Sequence, residues 1–280
     1  WESTLTTYAD PTFGSLPVAA IDTALVMKAL EAIWSEKPET ASRLRGRIES
    51  VLDWATARGY RTGENPARWR GHLDKMLPAR AKVQAVQHHA ALPYRDLPAF
   101  MSSLRSQTGI GALALEFAIL TAARTGEVIA ATWDEIDLDA ATWTVPKERM
   151  KAKREHKVFL SDGALAILRP LKEAARSDFL FPGNSPDKPL SNMAMLSTLK
   201  RMNRKDLTTH GFRSTFRDWA AETTDYPSEV VEMALAHAVA NKVEAAYRRG
   251  DLFEKRKRLM SDWNHAAAPG TPGTPGTRDD

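Results

Sequence analysis

The hydrophobic pattern of this 280-residue chain has a helical period over most of its length and changes period in one place. Between residues 136 and 160, short apolar runs separated by turn residues replace the helical spacing and predict strands. The predicted strands are 136–138, 142–145 and 157–160, and the predicted helices are 24–34, 42–58, 163–176, 191–201, 210–222, 228–238 and 242–249. A charged stretch, 147–155, lies between the last two strands and predicts a hairpin with a basic tip. We therefore expect a mainly α fold with a small antiparallel β-sheet.

Turn residues and a polar connector predict the division into domains. Gly59, Gly63 and Pro66 follow the second helical segment, and a polar stretch without periodicity surrounds His88. A tail that repeats Pro-Gly-Thr has no residues for a core and predicts disorder. The expected parts are a helical domain at 1–86, a linker at 87–96, a larger domain at 97–265 and the tail at 266–280.

Composition excludes several kinds of protein and site. The chain has no cysteine, which excludes disulfides and thiolate metal sites. It has no run of about 18 apolar residues for a membrane span and no secretory signal, so we expect a cytoplasmic protein. The net charge of +4 and the pI of 9.2 favour a polyanionic partner only weakly, because many basic proteins bind no nucleic acid. The chain begins at Trp1 rather than Met, which predicts a piece of a longer polypeptide.

The segment 209–219 combines an imidazole and a guanidinium at the start of a predicted helix. Thr208 or Thr209 is a suitable cap for this helix, and His210 and Arg213, three residues apart, project from one face. A helix N-terminus with these side chains suits a phosphate group. The same residues also fit a simpler interpretation, in which His210 caps the turn and Arg213 forms a surface ion pair.

A second arginine follows a long apolar stretch. Arg124 comes directly after the run 112–123 and before Thr125, a plausible N-cap. An arginine there is costly to bury without an anion, and its planar fork of donors suits bidentate phosphate binding. Glu127 is an alternative partner within the chain.

Three further candidates are weak when each is taken separately. Lys151 lies in the hairpin tip, but Lys153 and Lys157 are of the same type, and a charged tip is usually a solvated turn. His237 ends one predicted helix, where a histidine commonly caps the chain. Tyr247 lies on the next, where a lone tyrosine is usually packing.

The order of these motifs is more specific than any one of them. Ala-Arg-Thr-Gly-Glu, a hairpin lysine, His-Gly-Phe-Arg, Leu-Ala-His and Ala-Tyr-Arg-Arg resemble the catalytic domain of tyrosine recombinases, and are most similar to the prophage-integrase branch. The resemblance covers 97–263, and the domain 1–86 is similar to the family's core-binding domain. It implies the DNA breaking-rejoining fold. Prophage integrases usually carry a further N-terminal arm-binding domain, which we do not expect in this chain.

The resemblance implies a role for each candidate residue. Tyr247 is the nucleophile that forms a 3′-phosphotyrosyl link, and Arg124 and Arg213 clamp the non-bridging oxygens. Lys151 is the general acid for the 5′-oxygen, although the residues by themselves do not choose it over Lys153. His210 assists proton transfer at the nucleophile or binds the phosphate, and His237 orients the phosphate and supports Tyr247. No metal, ATP or other cofactor is expected.

The resemblance also implies partners. These are double-stranded DNA attachment sites and a tetramer on synapsed DNA, with room for an excisionase and a DNA-bending host factor. The candidate phosphate contacts are Arg45, Arg47, Arg68, Arg70 and Lys82. The amphipathic segment 252–263 has two open interpretations, packing on a neighbouring protomer or docking on its own domain.

Two other functions compete with recombination. A type IB topoisomerase uses the same nucleophile with a similar basic constellation, and a DNA-binding remnant would keep the fold without activity. The complete set of six residues and their spacing favour a site-specific recombinase that integrates or excises a prophage or genomic island.

Overall fold

The structure, a computed structural model, describes residues 1–79, 83, 90–237 and 250–268. The chain divides into two compact units, Trp1–His88 and His89–Asp280, and each has its own hydrophobic core. Within the described ranges, no helix is both long enough and apolar enough to cross a membrane.

The first unit is built from helices. Its described α-helices are α1 (Glu2–Tyr8), α2 (Asp10–Phe13), α3 (Thr23–Trp34) and α4 (Pro38–Ala57). The Asp22 carboxylate caps α3 by accepting a hydrogen bond from the Leu25 amide at 2.9 Å. Pro38 begins α4, where a missing N–H costs nothing. The predicted apolar stripes meet in a core that includes Leu30 and Leu44.

The second unit combines helices with one small sheet. Its described α-helices are α5 (Leu97–Arg105), α6 (Ile110–Thr121), α7 (Thr125–Ile129), α8 (Asp162–Glu173), α9 (Ala194–Arg201), α10 (Gly211–Thr223), α11 (Ser228–Ala234) and α12 (Phe253–Ala266). The strands are β1 (Ile136–Asp137), β2 (Thr142–Val145) and β3 (His156–Phe159).

The sheet is antiparallel with the order β1-β2-β3. Trp143 in β2 pairs with Ile136 on one side and with Val158 on the other, and Val145 pairs with His156. The third strand therefore begins at His156, one residue earlier than the sequence predicts. Because side chains alternate along a strand, His156 shares the core-facing side with the buried Val158.

Helix α6 forms the centre of the second unit. Phe117 lies between the rings of Trp143 and Phe181, with both ring centroids 5.4 Å away. From α12, Trp263 is fully buried and its Nε1 donates to the Ile119 carbonyl at 2.8 Å. The amphipathic segment 252–263 thus docks on its own domain.

Two predicted boundaries need correction. Leu92, inside the predicted linker, is buried in the second unit, and its carbonyl accepts a hydrogen bond from Thr215 Oγ1 at 2.7 Å. At the other end, Ala266 still belongs to α12 and Ala267 is fully buried. A tail that starts at 266 therefore starts too early; residues 269–280 lie outside the described residues.

Candidate active site

Arg213 lies on the first turn of α10, and only 5% of its surface is exposed. Its Nη1 donates to the Ala122 carbonyl, and its Nη2 donates to the Leu235 carbonyl at 2.6 Å. The alternative of a surface ion pair is therefore wrong, because the guanidinium binds backbone carbonyls inside the domain. Its Nε is buried and finds no hydrogen-bond partner among the described residues. Such an orphaned cationic donor is what a bound anion would satisfy.

Arg124 occupies the N-cap position of α7, one residue before the predicted cap, Thr125. Its Nη1 donates to Glu127 Oε1 at 2.7 Å, and its backbone N–H donates to Glu127 Oε2 at 2.9 Å. Glu127 is 5% exposed. The expected partner within the chain is therefore present. The second arm of the guanidinium, Nη2, extends to the carbonyls of Leu235 at 3.4 Å and Ala236 at 3.1 Å.

The turn that ends α11 supplies these shared carbonyls. The His237 N–H donates to the Glu232 carbonyl at 2.9 Å, and the Ala236 N–H donates to the Met233 carbonyl at 3.0 Å. Ala236 has a left-handed backbone with φ of 50°. This is the pattern of a Schellman C-cap. It leaves the last carbonyls of the helix without helical partners, so that the two arginines can bind them.

His237 is held between a carboxylate and a guanidinium. Its Nδ1 lies 2.6 Å from Glu232 Oε2, and its Nε2 lies 3.1 Å from Arg213 Nη2. Because Arg213 can only donate, this geometry assigns the imidazole proton to Nδ1 and the lone pair to Nε2. Glu232 also accepts from Arg217 Nε at 2.8 Å. Burial tends to raise the pKa of Glu232, but the hydrogen bonds from His237 and Arg217 outweigh burial and hold it below its usual range.

The electrostatics of this cluster favour an anion. Burial, with the nearby charge of Arg124, lowers the pKa of Arg213 to about 10, which still leaves the guanidinium protonated at neutral pH. Two protonated guanidiniums are thus held close together. The groups that bind the Arg213 side chain are backbone carbonyls and an imidazole, which carry no full negative charge. The two non-bridging oxygens of a phosphodiester, which share one negative charge, would accept hydrogen bonds from both arginines.

The predicted hairpin carries Lys151 on an exposed turn between the buried Met150 and strand β3. Met150, just before it, is 3% exposed and reaches the core. Lys153 has a left-handed backbone with φ of 54°. Lys157 lies in β3 and pairs with Thr144, so its backbone, unlike those of Lys151 and Lys153, is fixed in the sheet.

His210 immediately precedes α10 and is exposed. Of the two predicted caps, Thr208 and Thr209, Thr208 is the one whose Oγ1 accepts from the Gly211 N–H, at 3.0 Å. The neighbouring Thr209 is buried, and its Oγ1 has no hydrogen-bond partner among the described residues. Thr208 rather than His210 therefore supplies the side-chain cap.

His156 belongs to the surroundings of the site, although sequence reasoning missed it. Burial, followed by the charge of Arg256, lowers the pKa of His156 to about 4, against opposing effects of Glu127 and of a hydrogen bond with the Ala234 backbone. The predicted strand began at residue 157, which left His156 in the turn. Extending the alternation by one residue would have placed it on the core-facing side.

Comparison with known families decides what this arrangement belongs to. Residues 92–252, more than half of the chain, match the model of the phage integrase family, and residues 1–72 match the phage integrase central domain. The chain belongs to the phage integrase family. The match to the central domain lies in the first unit, and the match to the family model lies in the second.

Curated relatives of this integrase-family chain are longer than it is. It is 34% identical over 259 residues to prophage integrase IntZ of Escherichia coli (strain K12), which covers 91% of this chain and 62% of IntZ. It is 29% identical over 276 residues to the integrase of Enterobacteria phage P4, with 91% and 61% covered. The chain therefore spans about three fifths of the length of these relatives.

Solved structures confirm the predicted fold class. A lambda integrase dimer bound to a COC′ core site matches with a TM-score of 0.62 and 20% identity, covering 85% of this chain and 89% of that one. The Tn1549 transposon integrase in complex with circular intermediate DNA matches with a TM-score of 0.64 and 13% identity, covering 92% and 91%. At these identities the likeness shows the fold: mainly α with a small antiparallel sheet.

The structure brings together part of the predicted catalytic set. Arg124, Arg213 and His237 share contacts at the end of α11. Lys151 and His210 lie in the same unit, and the predicted nucleophile, Tyr247, lies outside the described residues. Within the described ranges, no three His, Cys, Asp or Glu side chains are placed to hold a metal ion.

The candidate DNA contacts of the first unit differ in their surroundings. Arg45 is engaged with Glu49 at 2.5 Å and with the Ala67 carbonyl at 2.8 Å. Arg47 donates to Thr4 Oγ1, Arg68 pairs with Glu64 at 2.5 Å, and Arg70 is exposed; Lys82 lies outside the described residues. Arg70 is thus the most accessible described candidate, and Arg45 is the most occupied.

Proposed function

We propose that this chain is the core of a site-specific DNA recombinase, an integrase that cleaves and rejoins DNA strands to integrate or excise a prophage or genomic island. The observation that carries the proposal is the convergence of Arg124, Arg213 and His237 on the end of α11, with an orphaned Nε on the buried Arg213. This cluster has the charge and the donors that a scissile phosphodiester requires.

In the proposed reaction, the phenolic oxygen of Tyr247 attacks the phosphorus and forms a 3′-phosphotyrosyl bond. The bond between phosphorus and the 5′-oxygen breaks, and Lys151 donates the proton that makes the leaving group a 5′-hydroxyl. His210 is proposed to accept the proton of the Tyr247 hydroxyl. Arg124 and Arg213 clamp the two non-bridging oxygens and stabilise the charge of the pentacoordinate transition state. Rejoining is the reverse sequence, with a 5′-hydroxyl as the nucleophile.

His237 is proposed to orient the phosphate and to support Tyr247. His237 donates its Nδ1 proton to Glu232, and its Nε2 faces Arg213 before DNA binds. A phosphate oxygen that accepts from Arg213 in place of His237 would leave His237 Nε2 without its Arg213 contact.

The proposed reaction needs neither ATP nor a metal ion. The phosphotyrosyl bond retains the free energy of the phosphodiester for rejoining, and the guanidiniums supply the charge neutralisation that metal ions supply in other phosphoryl-transfer enzymes.

The proposed partners follow from the same reaction. The substrate is a double-stranded DNA attachment site, contacted by phosphate-binding residues among Arg45, Arg47, Arg68, Arg70 and Lys82. Structural neighbours support this, since lambda integrase has been solved as a dimer bound to a core site and as a tetramer bound to a Holliday junction. We propose a tetramer on synapsed DNA in the cytoplasm, where an excisionase and a DNA-bending host factor would act on direction.

A nicked suicide duplex that carries a candidate attachment site tests the proposal. The wild-type chain should form an SDS-resistant protein–DNA adduct, and Tyr247→Phe should form none. Lys151→Gln should slow adduct formation more than Lys153→Gln does. Relaxation of any supercoiled plasmid by the monomer would point to a topoisomerase instead, and DNA binding without adduct on every attachment site tried would point to an inactive remnant.

A further inference from the structure

Arg149 lies two residues before Lys151, and its side chain connects the hairpin to α7. Its Nη1 donates to the Glu127 carbonyl at 3.0 Å, and its Nη2 binds the Glu135 carboxylate. That carboxylate also accepts from Trp143 Nε1 at 2.9 Å. The Arg149 side chain is 22% exposed and that of Glu135 is 10% exposed, so this is a partly buried contact rather than a surface pair.

The acceptor for Arg149 is set by the length of α7. The helix has five residues, so the Glu127 carbonyl has no helical partner four residues on, and the Ala131 N–H bonds to Val128 instead. Arg149 satisfies this carbonyl. The side chain of the same Glu127 holds Arg124 through Oε1. The Glu127 carboxylate therefore binds Arg124, a predicted phosphate-binding residue. The Glu127 carbonyl binds Arg149, at the base of the hairpin that carries Lys151.

The chain between Arg149 and Lys151 has little freedom. It spans two residues, or about 7 Å when fully extended, and the residue between them, Met150, is buried. Arg149 Nε is buried without a partner among the described residues. A buried unpaired donor costs free energy, so the placement of this guanidinium depends on the two acceptors of its Nη atoms, the Glu127 carbonyl and the Glu135 carboxylate. A lysine at this position has no fork with which to bind both acceptors.

We propose that Arg149 is a positioning residue for Lys151. It ties the base of the hairpin to Glu127, so that the lysine ammonium approaches the same phosphate that Arg124 binds. The inference rests on the proposed recombinase function and on Lys151 as the acid that protonates the 5′-oxygen.

A substrate with sulfur in place of the bridging 5′-oxygen separates positioning from mere stability. A thiolate leaves without the help of an acid, so this substrate needs no correctly placed lysine. Arg149→Gln and Arg149→Lys should cleave the ordinary duplex at least about 10-fold more slowly than wild type. On the sulfur-substituted duplex the same variants should cleave at nearly the wild-type rate.

Arg105→Gln is the matched control. Arg105 Nε donates to the 7%-exposed Glu116 at 2.7 Å in the same unit, in a pair that includes no residue of the hairpin. Its loss should leave the rates on both substrates close to wild type. If Arg149→Gln slows both substrates equally, or slows neither, the positioning role is overturned.

Failure of the inference is distinguishable from failure of the proposed function. A wild-type chain that forms no adduct on either substrate would contradict the recombinase itself. If wild type forms the adduct but Lys151→Ala is not rescued by sulfur, Lys151 is not the acid and the role of Arg149 falls with it. Rescue of both Lys151→Ala and Arg149→Gln, with no rescue of Tyr247→Phe, supports the inference.

Discussion

Arg124 and Arg213 donate to the same oxygen, the carbonyl of Leu235, from 3.4 and 2.6 Å. Their Nη2 atoms therefore lie no more than about 6 Å apart. A backbone carbonyl accepts from both guanidiniums without neutralising either of them. The end of α11 thus holds two like charges together: Arg124 is paired with Glu127, and Arg213 has no carboxylate partner among the described residues.

Replacing Glu127 by Gln should lower the stability of the second unit and slow DNA cleavage. The Glu127 carboxylate is buried and accepts from the side chain and the backbone of Arg124. Breaking a partly buried ion pair of this kind costs about 1–3 kcal/mol, and a freed Arg124 would clamp the phosphate less well. Urea denaturation and the rate of adduct formation on the suicide duplex measure the two effects.

Glu116→Gln is the control for stability, because Glu116 forms a similar pair with Arg105 outside the site. Glu116→Gln should lower the stability of the fold, but it should not slow the cleavage of bound DNA. Equal loss of cleavage rate in the two variants would show that Glu127 contributes only stability.

Replacing Glu232 by Ala should slow cleavage through His237. The carboxylate fixes the proton of His237 on Nδ1. Loss of a hydrogen bond to a charged group is worth about 1.5–3 kcal/mol, or roughly 10- to 100-fold in rate if the orientation matters in the transition state. Single-turnover adduct formation checks this.

Arg217→Gln separates the two partners of Glu232. It removes the exposed pair at 2.8 Å but leaves the bond to His237 in place. Its cleavage rate should stay within a few-fold of wild type. A loss as large as that of Glu232→Ala would contradict the proposed role of the imidazole proton.

Most of the fold could be predicted because its signals are local. Helices α3 and α4 follow from apolar residues at helical spacing and from turn residues beyond them, and the strands follow from a change of period. The helix predicted over 228–238 ends earlier, at Ala234, because Ala236 adopts a left-handed backbone. A left-handed alanine gives no sequence signal comparable to that of a glycine.

The site was predicted by residue type but not by environment. The order of the motifs indicated Arg213, while its burial depends on carbonyls of Ala122 and Leu235, which lie 91 and 22 residues away in the chain. Long-range acceptors of this kind have no local pattern. For the same reason Arg149 looked like one charge among many in the hairpin, and its contact with Glu127 was missed.

Lowering the pH should weaken the second unit through His156. The pKa of about 4 in the folded chain lies below the ordinary value of 6.5, so the unfolded chain binds the proton more tightly. A group with a lowered folded pKa stabilises above 6.5, and this contribution disappears as the pH falls from 6.5 to 4. The facing groups are Arg256, Arg124, Glu127 and the Ala234 backbone.

The difference between wild type and His156→Gln isolates this contribution, because the other titrating groups are common to both. Urea denaturation at several pH values should show the wild-type advantage shrinking as the pH falls from 6.5 to 4. An advantage that stays constant or grows would mean that His156 is not held neutral in the fold.

The glycine of His-Gly-Phe-Arg should not tolerate alanine. A Cβ on Gly211 would overlap the carbonyl oxygen of Ala90 and lie 3.3 Å from Ala91 Cα, and both are backbone atoms that cannot rotate away. Either the segment before α5 or the start of α10 must shift, and overpacking of this kind costs about 1–3 kcal/mol or more. The shift would also move Arg213, two residues further along α10.

Gly126→Ala is the contrasting substitution. A Cβ on Gly126, in α7, would meet no heavy atom of the described residues beyond its own helix within 4 Å, and alanine is the better helix former by about 1 kcal/mol. Urea denaturation should therefore find Gly126→Ala at least as stable as wild type and Gly211→Ala clearly less stable. If Gly211→Ala unfolds at the wild-type denaturant concentration, the close approach of Ala90 to α10 does not hold. The two glycines would then differ in chain position but not in packing, and close packing would not explain why a glycine lies between His210 and Phe212.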